Sequence, residues 1–320
     1  MFLTVNITIY IIEGVIDEID RKIILALRQN GRVSNVDLSS ELGLGVATVA
    51  KRVENLLSDE IIQIKAVVNP FKMGHNAHAF IMLDVDLSKV EDICAKLVNN
   101  SNISLVVTSF GRCDVIIIVD FTSWEILHSF MKEDLTLMEG VKKAETHLVS
   151  DIKKRYNGIF DRGAGKNNPV NLDEIDRKLI EELQIDGRIN YAYLAEKLNI
   201  GVATVSRRIA SLLKENIIRI IAVPNPSKLG QVANANIALS VEPQKITQIC
   251  EELARQEPVY MVMTMMNGFD ILVGVAFSNP EGLFNFITQK IARIDGVTNI
   301  ETFMRAEIKK ADYARLDLPF

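Results

Sequence analysis

Two amphipathic stretches carry the residue types that grip nucleic acid. In the first, Thr48, Lys51, Arg52 and Asn55 recur at three- and four-residue spacing, which places them on one helix face, while Val49, Val53 and Leu56 occupy the other. In the second, Thr204, Arg207, Arg208 and Ser211 take the same places. Arg and Lys grip phosphates or read guanine edges, and Thr contacts a thymine methyl or a phosphate. An ordinary solvated helix face shows the same pattern, and Arg52 and Arg208 are also placed for ion pairs with an acidic preceding helix. Arg32 and Arg188, just upstream, suit either phosphate contact or capping of that helix's carbonyls.

A second constellation is Thr108…Gly111-Arg112-Cys113-Asp114, matched by Thr264…Asn267-Gly268-Phe269-Asp270. Backbone amides of a glycine-containing turn can hold a carboxylate, and Asp114 can hold an amino group. A hairpin turn with a capping Asp reads the same way. The two versions differ, so any pockets they form are not equivalent. His75, His78, His128 and His147 lack close HxxxH or CxxC partners, so no metal site is expected. There is no Ser/His/Asp pattern and no glycine-rich phosphate loop. The chain therefore reads as a non-enzyme that needs no cofactor.

These pairings reflect a repeat. Asp17-Glu18-Ile19-Asp20-Arg21-Lys22 returns 156 residues later as Asp173-Glu174-Ile175-Asp176-Arg177-Lys178, and Asn69-Pro70 returns as Asn225-Pro226. Within each copy, an acidic N-terminus opens a first helix at Asp17 and Asn30-Gly31 ends it. A short helix over 35–42 follows with Ser34 as N-cap, then a third helix to about Leu57. Gly43 is replaced by Asn199 in the second copy. These residues most readily adopt the left-handed conformation that ends a helix, so a tight helix-turn-helix is predicted at about 35–54 and 191–210. The β-branched run 61–67 reads as a strand or wing. The remainder reads strand 77–86, helix 88–99, strands 103–110 and 114–120, helix 123–137 and strand 141–149. That βαββαβ order is the ferredoxin-like arrangement, with one apolar sheet face left to pair with a second sheet.

The expected fold is thus α+β, with two tandem copies of a winged helix-turn-helix followed by a ferredoxin-like domain. The divisions are an extension (1–15), reader (16–68), ferredoxin-like domain (69–156), a Gly/Asn-rich linker (157–171), reader (172–224), ferredoxin-like domain (225–312) and tail (313–320). A net charge of −5 provides no global positive field, although a compact reader needs only a local one. Three cysteines without a CxxC pair suggest buried thiols in a reducing cytoplasm. No apolar run is long enough for a membrane span.

The opening Ile-Asp-x-x-Asp-Arg-Lys, the Gly-Arg before the second helix, the Thr-Val-x-x-Arg of the third and the Asn-Pro-x-x-x-Gly hinge resemble the Lrp/AsnC (feast/famine) transcriptional regulators. Departures are Gly45 and Gly201, where the family usually has a capping Ser, and Leu56-Leu57 with Glu60, where it has Leu-Glu and Gly. The resemblance implies a DNA reader, with Thr48, Lys51, Arg52, Asn55, Thr204, Arg207, Arg208 and Ser211 toward double-stranded DNA. It also implies a RAM-type effector domain that binds an amino acid or similar small molecule around Thr108, Gly111, Asp114, Thr264, Gly268 and Asp270. A nucleoid-associated cytoplasmic oligomer of two to four chains follows, with residues 77–149 packed on 233–305 as an intrachain pseudo-dimer; the alternative is a domain-swapped dimer, with copy one of each chain paired to copy two of the other. The competing reading is a tetrapyrrole (sirohaem-type) decarboxylase, which shares this architecture.

Overall fold

The computed structural model describes residues 16–69, 72, 74–155, 170, 172–225, 228–229, 233–256 and 258–311. The expected extension (1–15) and tail (313–320) lie outside them, as does the linker (157–171) apart from residue 170. The chain forms two compact units that combine like with like: residues 1–73 with 168–231, and 74–167 with 232–319.

The first unit holds both readers. In the first reader, α1 (Glu18–Gln29) begins with a capping box in which the Asp17 carboxylate accepts from the Ile19 and Asp20 amides and Asp20 accepts from the Asp17 amide. It buries Ile23, Ile24 and Leu27. Helix α2 (Asn35–Leu42) starts on Ser34, whose hydroxyl accepts from the Asp37 amide. It ends on Gly43 at φ 66°, and α3 (Val46–Ser58) follows two residues later with no side-chain cap at Gly45. Strand β1 spans Ile62–Val68.

The second reader, described after the intervening domain, repeats this with α6 (Glu174–Ile185), α7 (Tyr191–Leu198), α8 (Val202–Lys214) and β6 (Ile218–Pro224). Asn199 ends α7 at φ 52°, so the left-handed turn is kept while its residue changes. The runs expected as strands or wings form strands, and each is the other's partner. β1 and β6 pair antiparallel from Ile62↔Pro224 to Val68↔Ile218, each satisfying the other's backbone groups, since among the described residues neither has a hairpin neighbour of its own.

The second unit holds both ferredoxin-like domains. Copy one is β2 (Ala77–Val85), α4 (Val90–Val98), β3 (Ile103–Phe110), β4 (Val115–Phe121), α5 (Trp124–Ser129) and β5 (Val141–Arg155). Copy two is β7 (Ala233–Val241), α9 (Ile246–Ala254), β8 (Val259–Met265), β9 (Ile271–Phe277), α10 (Pro280–Gln289) and β10 (Val297–Ala311). The helix expected over 88–99 opens with a 3₁₀ turn (Leu87–Lys89), and the one over 123–137 passes into a π-helical turn (Phe130–Leu135). Odd-numbered residues of β2 and β7, from Ala77 to Val85 and Ala233 to Val241, pack with the helices into two separate cores.

The sheets meet as expected within the chain, but they fuse at their edges rather than only facing each other. The order β10-β3-β4-β2-β5-β8-β9-β7 closes an eight-stranded barrel. β5 runs six residues past its expected end. It pairs with β2 up to Leu148, shifts register, and continues on β8 from Val149 to Arg155. β10 does the same from β7 to β3. Closure leaves this sheet without an unpaired edge and turns the faces opposite the helices into the barrel interior.

Candidate nucleic-acid interface and effector turns

Helix α3 is held on its buried side by Val49, Val53 and Leu56, which leaves Thr48, Lys51 and Asn55 exposed. An open groove of about 650 Å³ runs along it and gathers Thr48, Lys51, Arg52 and Asn55 with Asp20 and Asp59. Lys51 pairs with Glu54 at 3.1 Å, with both side chains exposed. Arg52 Nη1 bridges Asp17 at 2.7 Å and Asp20 at 2.8 Å, tying α3 to the cap of α1. The Asp20 amide and then the Arg52 guanidinium hold the Asp17 carboxyl below its ordinary value, and the two carboxylates raise Arg52.

Helix α8 repeats the arrangement. Arg208 Nη1 lies 2.8 Å from both Asp173 and Asp176. Arg207 is exposed, Thr204 is half-buried, and Ser211 donates to Glu215 at 2.8 Å. The eight residues therefore lie on α3 and α8, on or beside their solvent faces. Arg52 and Arg208 combine that place with the ion pair to α1 that their spacing also allowed.

Arg32 and Arg188 make contacts that the sequence did not suggest, each reaching the other copy. Arg32 Nε donates to Gly187 O at 2.7 Å and its Nη2 to Ile189 O at 3.2 Å, while Arg188 Nε donates to Gly31 O at 2.8 Å. Arg32 also lies over the Tyr191 ring, 4.6 Å from its centroid. Each guanidinium thus caps the corresponding turn of the other reader. The glycine before each arginine permits the approach. A Cβ on Gly31 would lie 2.9 Å from Ile221 Cα, and one on Gly187 would lie 3.0 Å from Lys65 N and Cα. Their amides bond to Ile220 O and Ile64 O across the ribbon.

The turns expected to hold an effector are built differently in the two copies. In the first, Thr108 Oγ1 accepts the Glu307 amide at 3.1 Å and Asp114 accepts the Val85 amide at 2.8 Å. Gly111 stands at φ 114° with open space around its Cα. Arg112 spans Glu145 and Glu301 at 2.6 and 2.7 Å. In the second, Asp270 accepts the Val241 amide at 2.8 Å, and Thr264 is buried against Ser150 at 2.8 Å. Asn267 sews this turn to β5: its Oδ1 accepts from the Leu148 amide and its Nδ2 donates to Thr146 O, both at 2.8 Å. The ring of His147 packs so close that a Cβ on Gly268 would lie 2.3 Å away. One turn is open and charged, the other stitched shut. The capping role allowed for the two aspartates is the one seen.

His78 and Asp120 form a buried pair at 2.5 Å in the barrel interior. Among the described residues no group of His, Cys, Asp and Glu could hold a metal ion, and no helix is long and apolar enough to cross a membrane.

Family models place these parts. A winged helix-turn-helix DNA-binding model matches residues 16–63, and an AsnC-type helix-turn-helix domain model matches 172–213. An Lrp/AsnC ligand binding domain model matches 78–159 and 234–314. An HTH-type transcriptional regulator of Pyrococcus horikoshii is 38% identical over 148 residues, 46% of this chain and 94% of that protein. One from Pyrococcus furiosus is 35% identical over 146 residues, 45% of this chain and 99% of its own. Such relatives align with one copy's worth of sequence. Across both copies, the crystal structure of the siroheme decarboxylase NirDL has the same fold, with a TM-score of 0.67, 16% identity and coverage of 93% and 94% of the two chains.

Proposed function

Because this chain belongs to the Lrp/AsnC family of DNA-binding regulators, whose ligand binding domain matches about half of it, we propose that it is a covalent fusion of two family units. It reads an imperfect palindrome in double-stranded DNA. The observation that carries this is the single reader unit, in which the β1–β6 ribbon and the reciprocal Arg32 and Arg188 contacts fix α3 and α8 relative to each other. Half-sites are read by Thr48, Lys51, Arg52 and Asn55 on one side, and by Thr204, Arg207, Arg208 and Ser211 on the other. Arg52 and Arg208 enter that surface already oriented by α1. Lys51 against Arg207 and Asn55 against Ser211 make the half-sites unlike, with centres about one helical turn or a multiple of it apart.

An amino acid or similar small effector modulates binding at the Thr108, Gly111, Asp114 turn. The Thr264, Gly268, Asp270 turn contributes less, since Asn267 and His147 occupy its surroundings. Two to four chains assemble in the cytoplasm on the nucleoid. Genomic footprinting followed by titration of the recovered duplex tests the reading. Arg207→Ala with Lys51→Ala should weaken binding on all sequences, with a salt slope shallower by about one for each phosphate no longer neutralised. Unchanged affinity with the fold intact refutes it. The tetrapyrrole decarboxylase reading draws on the shared two-copy fold, and it requires a strong absorbance change on adding an iron tetrapyrrole.

A further inference from the structure

The barrel interior is not equivalent in its two halves. Four copy-two residues differ in kind from their repeat counterparts: Asn236 stands for Phe80, Tyr260 for Ser104, Gly274 for Ile118 and Arg305 for Val149. The register makes them neighbours, since Asn236 lies opposite Gly274 on β9 and opposite Phe303 on β10, next but one to Arg305. The changes are coordinated. A Cβ on Gly274 would lie 2.5 Å from the Tyr260 ring and 2.8 Å from its hydroxyl, so the tyrosine requires the glycine.

Arg305 is 8% exposed, with its guanidinium 5.6 Å from the Tyr260 ring centroid and Nη2 donating to Asn236 Oδ1 at 2.7 Å. No carboxylate among the described residues pairs with it. Three buried polar atoms here have no partner: Arg305 Nε, Tyr260 Oη and Asn236 Nδ2. Nε and Nδ2 can only donate, and burial raises the phenol's pKa so that it keeps its proton and can donate too. A buried, uncompensated cation is strongly unfavourable, and a water molecule satisfies donors without neutralising charge.

We infer that Arg305, Tyr260 and Asn236 form a binding site for a small oxyanion, a carboxylate or a phosphate, inside the copy-two half of the barrel. This site is separate from the two effector turns and does not rest on the DNA-reading proposal. Its copy-one counterpart, lined by Val149, Phe80 and Ser104, lacks the cation, so one site per chain is expected.

The test is calorimetric titration and thermal melting of the full chain with sodium phosphate and with sodium acetate, at constant ionic strength against chloride. One of the two should bind saturably at one equivalent, and which one identifies the source of the oxyanion. Tyr260→Phe, which removes only the hydroxyl, should weaken binding roughly tenfold or more. Arg305→Val, the residue copy one uses, should abolish binding and melt no lower than wild type without the anion. Failure of both anions to bind beyond the chloride reference, or wild-type affinity in Tyr260→Phe, overturns the inference.

Discussion

Replacing Arg32 and Arg188 by alanine should uncouple the two readers. Each guanidinium makes one short hydrogen bond to a carbonyl of the opposite reader, Arg32 to Gly187 at 2.7 Å and Arg188 to Gly31 at 2.8 Å. A hydrogen bond from a charged donor is worth about 1.5–3 kcal/mol when buried. Both side chains are only part-buried, so about 1–1.5 kcal/mol each is the discounted figure. The two cations also repel: burial first, then the Arg32 charge, lowers the Arg188 pKa. Each single substitution relieves that repulsion, whereas the double substitution relieves it only once. The double variant should therefore lose more stability than the sum of the singles, an unusual sign for a double-mutant cycle between contacting residues. The chain's one tryptophan, Trp124, lies in the barrel unit, so its fluorescence follows that unit while circular dichroism at 222 nm also follows the readers. Urea titration should show the dichroism transition moving to lower denaturant with the fluorescence transition in place. The variant should also discriminate less between operators whose half-site spacing differs by a few base pairs. If both transitions coincide with wild type and spacing preference is unchanged, the reciprocal caps do not hold the readers together.

Gly43→Ala should destabilise the first reader by about 1 kcal/mol, since φ 66° is strained for any residue with a Cβ, whereas Asn199→Gly should be near neutral; thermal melts compare them. Asp17 and Asp173 have lowered pKa values in the folded state, chiefly through the Asp20 and Asp176 amides and then through Arg52 and Arg208. Their stabilisation is present above the ordinary carboxylate value of 3.8 and is lost as pH falls through the depressed one, so the dichroism melting temperature should drop below about pH 4. Asp17→Asn should flatten that drop. Burial pushes the thiols of Cys94, Cys113 and Cys250 up to about 11, so at pH 8 a disulfide reagent should modify none of them in the folded protein and all three in urea.

Legibility in the sequence followed the range of the forces. Ser34, Gly43 and Asn199 act on backbone groups within a few residues, and the turn they specify is present where their types placed it. The Arg52–Asp17–Asp20 tie could be read as an alternative because helix periodicity alone brings α1 and α3 together. The ends of β5 and β10 could not, because a strand continues for as long as it has a partner, and that partner belongs to the other copy. Arg32 and Arg188 escaped for the same reason: their acceptors are carbonyls 155 to 157 residues away. In the effector domain, Asp114 and Asp270 were visible as candidates, but Asn267, which closes one turn, was not. Its role depends on the exposed backbone of Thr146 and Leu148.

The presence of both copies in one chain allows these differences. In a symmetric dimer every substitution appears twice, and an interior change must suit both twofold-related surroundings. In this chain His147 stacks on Phe269 with ring centroids 4.4 Å apart, while the counterparts of those positions are Phe303 and Cys113. Phe80 fills the interior against Phe269 and Phe303, at 6.3 and 6.4 Å. Its own counterpart is Asn236, which instead meets Arg305. Two copies of Arg305 would bury two cations in one barrel, and two copies of Phe80 would displace Asn236. Only an asymmetric interior admits an aromatic cluster around Phe80 together with a single Arg305–Asn236 pair. The same freedom lets one candidate effector turn be sewn shut by Asn267 while the other carries Arg112 between two glutamates. The copies have kept the contacts that require equivalence, the β1–β6 ribbon and the paired Arg32 and Arg188 caps. They have diverged where a single chain permits division of labour.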